Sequence, residues 1–186
     1  MRILFFLLLG TLFSCQKNKN EIIQNQSEVL RISFQKKNCT EFFNAFPDSY
    51  KNFDDLYGYD DESGKKQLYD SYEKHINYFF ECKECVAENR FYDKIFKIAK
   101  SSKWEADAIA LFQTNLSNLI INQPSSFVKL LNAKNKIETG KFWHFIFDGS
   151  SKNDRQNKEK FEIIYNKIYN LDKNQSNLLE QEFKKM

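Results

Sequence analysis

Five glycines and two prolines in 186 residues leave few places where this chain can turn sharply. All-β folds spend such residues on many hairpins, and α/β folds need glycine at phosphate loops and strand–helix turns. Scarcity of both points to helices joined by short polar loops. The side chains agree, because apolar residues recur at helical spacing from Glu41 onward. Phe42, Phe43 and Phe46 lead to a turn at Pro47-Asp48, and Tyr50, Phe53, Leu56 and Tyr57 follow until Gly58. After an acidic loop from Gly58 to Gly64, one long helix is predicted from about Lys65 to Cys85. Further helices are predicted around Phe91–Ala99, Trp104–Ile120, Phe127–Leu131, Phe161–Tyr169 and Leu178–Phe183, with Ser125 or Ser126 as a cap. Residues 142–147 read as a buried segment followed by a loop over 148–153. The expected fold is all-α, an irregular bundle of about seven helices, with a short α-solenoid as the alternative.

The amino-terminal end follows other rules. Met1-Arg2, an apolar run from Ile3 to Phe13 and a small residue, Ser14, before Cys15 have the layout of a secretory signal. The run is too short to span a bilayer core, which takes about 20 apolar residues. Leu12-Phe13-Ser14-Cys15 resembles the lipobox of bacterial lipoproteins. The resemblance implies a diacylglycerol thioether on Cys15, cleavage after Ser14 and acylation of the new amino terminus, the multi-chain anchoring that holds a protein stably to a membrane. Gln16-Lys17 lacks the aspartate that retains lipoproteins of this class in the inner membrane, so the resemblance places the chain at the outer membrane, facing the periplasm. Residues 1–14 are then the signal peptide, 15–38 a lipidated cysteine and polar tether, and 39–186 the helical domain. Within the tether, Leu30, Ile32 and Phe34 alternate as a short strand would.

Without residues 1–14 the chain keeps 27 of its 28 basic residues against 25 acids, a balance of +2. A dedicated nucleic-acid binder would need a basic face, and with 24 Lys to 4 Arg the fork-shaped side chain suited to phosphates and base edges is rare. Nucleic acid is therefore not an expected partner. With Cys15 carrying lipid, Cys39, Cys82 and Cys85 remain. In an oxidising compartment they make one disulfide and one leftover thiol, Cys39 pairing with Cys82 or Cys85.

Several groups of residues carry side chains capable of chemistry. Cys82-Lys83-Glu84-Cys85 is a C-x-x-C, but it closes a helical pattern, whereas redox pairs sit where a strand enters a helix. His75 with the three cysteines could supply four zinc ligands, at a spacing that matches no standard site. Asp54, Asp55, Asp60, Asp61 and Glu62 lack the alternating order of a calcium loop and read as a solvated turn. His144 and Asp148 lie four apart, the spacing of an oriented general base on one helix face, ahead of Ser150 and Ser151. No nucleophile elbow accompanies them, so an envelope hydrolase using His144 and Asp148, or a thiol protein using Cys82 and Cys85, is the alternative to a binding role rather than the first reading.

Phe46-Pro47-Asp48-Ser49-Tyr50, Leu56-Tyr57-Gly58-Tyr59 and Phe142-Trp143-His144-Phe145-Ile146-Phe147-Asp148-Gly149 together resemble a pattern in helical lipoproteins of Gram-negative bacteria. That class includes immunity proteins against secreted toxins. The expectation is an envelope lipoprotein held by membrane lipid at Cys15. It would bind a protein partner without cofactor or metal, with toxin immunity as one specific form.

Overall fold

The computed structural model describes residues 21–186, and among them forms ten α-helices and one two-stranded hairpin. Helix α1 occupies 21–35, followed by α2 (Cys39–Ala45) and α3 (Tyr50–Tyr57). The hairpin pairs β1 (Tyr59–Asp60) antiparallel with β2 (Gly64–Lys65), and a 3-10 turn (Tyr69–Ser71) leads into α4 (Tyr72–Glu81). A second 3-10 turn, Cys82–Cys85, precedes α5 (Glu88–Ala99) and α6 (Ala108–Asn122). The chain ends with α7 (Pro124–Asn132), α8 (Lys136–Phe147), α9 (Arg155–Tyr169) and α10 (Lys173–Phe183). The signal segment, Cys15 and the first residues of the expected tether lie outside the described residues.

Local chemistry sets these boundaries. Asn38, Ser49, Asn135, Asp154 and Asp172 each accept a backbone N–H in the first turn of the helix they precede. Proline opens α7 at a position where its missing N–H costs nothing, with Gln123 rather than a serine before it. The 65–85 region corrects the expectation of one long helix. Asp60 Oδ1 accepts from the N–H groups of Glu62 and Ser63, closing the tight turn of the hairpin, and Gly64 takes φ +77° beyond it.

The amino-terminal segment needs the larger correction, for 21–35 is neither tether nor strand. It is a helix docked on the domain. Leu30, Ser27 and Ser33 are buried, Ile23 and Phe34 pack against the core, Gln26 Nε2 donates to Ala45 O, and Ser27 Oγ lies 2.6 Å from Gln67 Oε1. The folded domain therefore starts before residue 39.

Each helix from α2 to α8 packs on the second one along the chain, and α5–α8, α6–α9 and α7–α10 also meet. Packing thus advances stepwise, yet the buried side chains form one continuous cluster. Its first half is built on Phe79, which stacks on Phe46 at 4.1 Å between centroids and reaches Phe43, Phe91 and Phe112. Its far end stacks Phe161 on Phe183 at 4.2 Å, with Phe147 against both. Such pairs each contribute roughly 0.5–1.5 kcal/mol beyond the area they bury.

Candidate functional site

Cys39 opens α2 and Cys85 ends the turn after α4, and their sulfurs are bonded. This decides between the two open pairings, and it also takes Cys85 out of the C-x-x-C. The leftover Cys82 is fully buried, and burial followed by the charge of Glu81 pushes its thiol up to about 12. A thiol kept protonated there is a core side chain rather than a nucleophile. His75, the other member of the zinc set, faces Tyr57. Among the described residues no three His, Cys, Asp or Glu side chains are grouped to hold a metal ion.

His144 and Asp148 do not form a pair. Asp148 leaves α8 with extended backbone, and its carboxylate accepts Trp104 N at 2.7 Å and Gly149 N at 2.9 Å. Oδ2 thus pins the loop before α6 to the end of α8, and Oδ1 is spent on the turn at Gly149. The carboxylate facing His144 is Glu182 of α10, 3.8 Å from Nδ1, an ion-pair distance rather than a hydrogen bond. Glu182 is itself buried and paired with Lys185. The backbone carbonyls of Ser150 and Ser151 accept from the buried amide of Asn157. His144 instead lines an open groove of about 890 Å³ between α8 and α10, beside Lys136, Lys141 and Lys185.

A more enclosed cleft, of about 420 Å³, lies between α3, the hairpin and the loop before α6. Tyr50 and Asp54 stand one turn apart on α3 and enter it together. Asp54 Oδ1 lies over Gly58, where a Cβ would sit 2.1 Å from it, so only glycine lets the end of α3 close on that carboxylate. Tyr59 of β1 and Tyr69 of the 3-10 turn add aromatic walls, with ring centroids 5.9 Å apart. Glu105 and Asp107 come from the loop.

Asp107 occupies the N-cap position of α6 yet makes no side-chain cap bond. Its backbone is held at φ +62°, and its carboxylate accepts from the Tyr69 hydroxyl instead. A non-glycine residue in that region costs on the order of 1–3 kcal/mol, so the surrounding structure holds it there against its preference.

The electrostatics of the cleft are unbalanced. Burial raises the Asp54 carboxyl, and the charges of Glu105 and Asp55 add to that, against smaller opposing effects from Lys66 and Lys103. Burial, then the neighbouring Glu105, also raises the Tyr50 phenol. Tyr69 is pushed up to about 12, chiefly by its hydrogen bond to Asp107. Lys103 pairs with Glu105 at 3.0 Å, and among the described residues Asp54 and Asp107 make no ion pair at the cleft. A cation entering here would relieve like-charge repulsion and meet the faces of tyrosine rings.

The acidic group read from the sequence thus divides three ways. Asp54 lines the cleft, Asp55 pairs with Lys51, and Asp60 shapes the hairpin turn. Glu105 and Asp107, about fifty residues further on, carried no local motif that could have joined them to Asp54. No family model matches the chain, nor does any curated protein or solved structure.

Proposed function

We propose that this chain is a lipid-anchored protein of the bacterial envelope, held at the outer membrane, that acts by binding a protein partner. A lysine or arginine of the partner would be seated in the cleft formed by Asp54, Glu105 and Asp107. The lipobox-like Leu12–Cys15 supports the anchor. The observation that carries the binding reading is Asp107, which gives up capping α6 and sits in a costly backbone conformation, so that its carboxylate stands at the rim of an aromatic-walled cleft. Tyrosine rings and carboxylates together suit a guanidinium or ammonium group better than either alone. Toxin immunity is one specific form of such binding, in which the captured side chain belongs to a secreted toxin.

The test is crosslinking in whole cells with the full chain, comparing the wild type with Asp54→Asn/Glu105→Gln. Lys141→Ala in the opposite groove serves as the control. A partner retained by wild type and control but reduced at least ten-fold by the cleft variant is the expected result. Equal capture by all three overturns the assignment of the cleft. For the immunity form, cells making the chain survive a toxin encoded beside its gene, and the cleft variant removes that protection.

A further inference from the structure

The end of α7, the start of α8 and the outer face of α10 border a separate pocket of about 430 Å³, large enough for a small ligand or the end of a chain. Five side-chain amides line it, and they fall into two sets. Gln175 and Asn132 are already engaged: Trp143 Nε1 donates to Gln175 Oε1, Gln175 Nε2 to Asn132 Oδ1, and Asn132 Nδ2 to Asp172 Oδ2. Asn174, Asn177 and Gln181 are exposed, and among the described residues their side chains have no hydrogen-bond partner. Spacings of three and four put these three on one face of α10, along about 10 Å of its axis.

The charged side chains lining this pocket are Lys134 and Lys136, and among the described residues no carboxylate lines it with them. Lys134 is paired with Asp93 at 2.7 Å, whereas Lys136 makes no ion pair among the described residues. One free ammonium beside three free amides suits a ligand with a single carboxylate and a row of N–H and C=O groups, because a side-chain amide both donates and accepts. A peptide end has that chemistry. Extended chain advances about 3.3 Å per residue, so about three residues match the stripe on α10. Leu131 and Leu178 supply apolar contact, while no aromatic ring lines the pocket as a flat face for a sugar. Lys136, Leu178 and Gln181 also line the groove that holds His144, so the rest of a bound chain has a way out on that side. Residues 1–20 of this chain lack the complementary charge, with Arg2, Lys17 and Lys19 and no acid.

We infer that this pocket binds the carboxyl-terminal residues of a partner protein. The terminal carboxylate meets Lys136 Nζ, and the last peptide groups pair with Asn174, Asn177 and Gln181. A single free cation fits one chain end better than a run of acidic side chains, which would bring several charges to one ammonium. The pocket is separate from the acidic cleft, and its occupancy does not depend on what that cleft holds.

The full chain, in nonionic detergent, is titrated against a fluorescein-labelled hexapeptide of serine and alanine that ends in leucine with a free carboxyl group, and anisotropy is followed. Saturable binding is expected, weakened at least ten-fold when the carboxyl is capped as an amide. Lys136→Ala and the pair Asn177→Ala/Gln181→Ala weaken it by as much, while Lys158→Ala, an exposed lysine on α9, leaves it unchanged. In the wild type, the side-chain NH2 resonances of Asn174, Asn177 and Gln181 shift on adding the peptide, and that of the buried Asn157 does not. Absence of saturable binding, or equal binding of the acid and the amide, overturns the inference. An amidated peptide with one internal glutamate that binds as tightly overturns the assignment to a chain end. A galacturonate trimer that competes at lower concentration than the unlabelled peptide overturns the peptide class. A dimer in sedimentation that Lys136→Ala dissolves puts a second copy in the pocket and overturns the separate partner.

Discussion

His75 is walled in by Phe34 and Phe42, with ring centroids 4.9 and 5.3 Å away, and its Nδ1 lies 3.1 Å from the Tyr57 hydroxyl. Burial, with a smaller contribution from Arg31, holds the imidazole down at about 4, while burial raises the Tyr57 phenol well above its ordinary value. The phenol therefore keeps its proton, and the pair joined by this hydrogen bond is neutral. In the unfolded chain the same histidine titrates near 6.5. Between about 6.5 and about 4 the unfolded state takes up a proton that the folded state refuses, so this contribution is full above that window and is lost as pH falls through it. At about 1.4 kcal/mol per pKa unit the full loss is roughly 3–4 kcal/mol, of which about 2–3 kcal/mol falls between pH 7 and pH 4.5. Denaturant midpoints measured at pH 7 and pH 4.5 should differ accordingly, and His75→Gln should flatten the difference. Asp172 acts lower on the scale. Hydrogen bonds from Asn132 and from the N–H of Gln175 hold its carboxyl below the ordinary 3.8, so its contribution is lost only at more acid pH.

At the scale of elements, the join between the 100–107 loop and α8 is the most sharply specified. Gly149 sits at φ +88°, and a Cβ there would lie 2.2 Å from Trp104 Cγ. Gly149→Ala therefore meets both a disfavoured backbone region and a clash with the indole of Trp104, whose backbone N–H donates to the Asp148 carboxylate. We expect a loss of about 1–3 kcal/mol in urea unfolding, accompanied by a shift in tryptophan emission. Helices α5, α6, α7, α9 and α10 were legible in the sequence because each keeps Phe, Ile or Leu at helical spacing on its inner face, whereas the 142–147 stretch of α8 is apolar on nearly every side and read only as a buried segment. Helix α1 was not, and its own residues explain why. Ser27 and Ser33 take buried positions and satisfy their hydroxyls on Gln67 and on Val29 O, while Ile22, Val29 and Ile32 stand outside. Polar residues within and apolar residues without erase the period that a reader relies on. The cleft was half legible for a different reason. Asp54, Gly58 and Tyr59 are near neighbours in sequence, but Glu105 and Asp107 reach them only through the packing of α6.

For the whole molecule, the Cys39–Cys85 bond joins positions 46 residues apart, with Cα atoms 6.2 Å from each other. A cross-link of that span restrains the unfolded chain and typically stabilises by about 2–4 kcal/mol. Replacing both residues with serine should lower the unfolding free energy by that amount, read from guanidinium titrations against the oxidised wild type. Fully reduced wild type should fall with the double variant, because Cys82 is not a member of the bridge.

The stepwise order of helix packing has a meaning in time as well as in space. A chain delivered amino terminus first, by a ribosome or through a membrane pore, presents each new helix to neighbours that have already emerged. Both halves of the cross-link precede α5, so it can close while half of the chain has yet to arrive. Little sequence then separates a helix from its main partners, and the entropy of closing each loop stays small. Assembly can proceed as a relay, each segment handing a finished surface to the next.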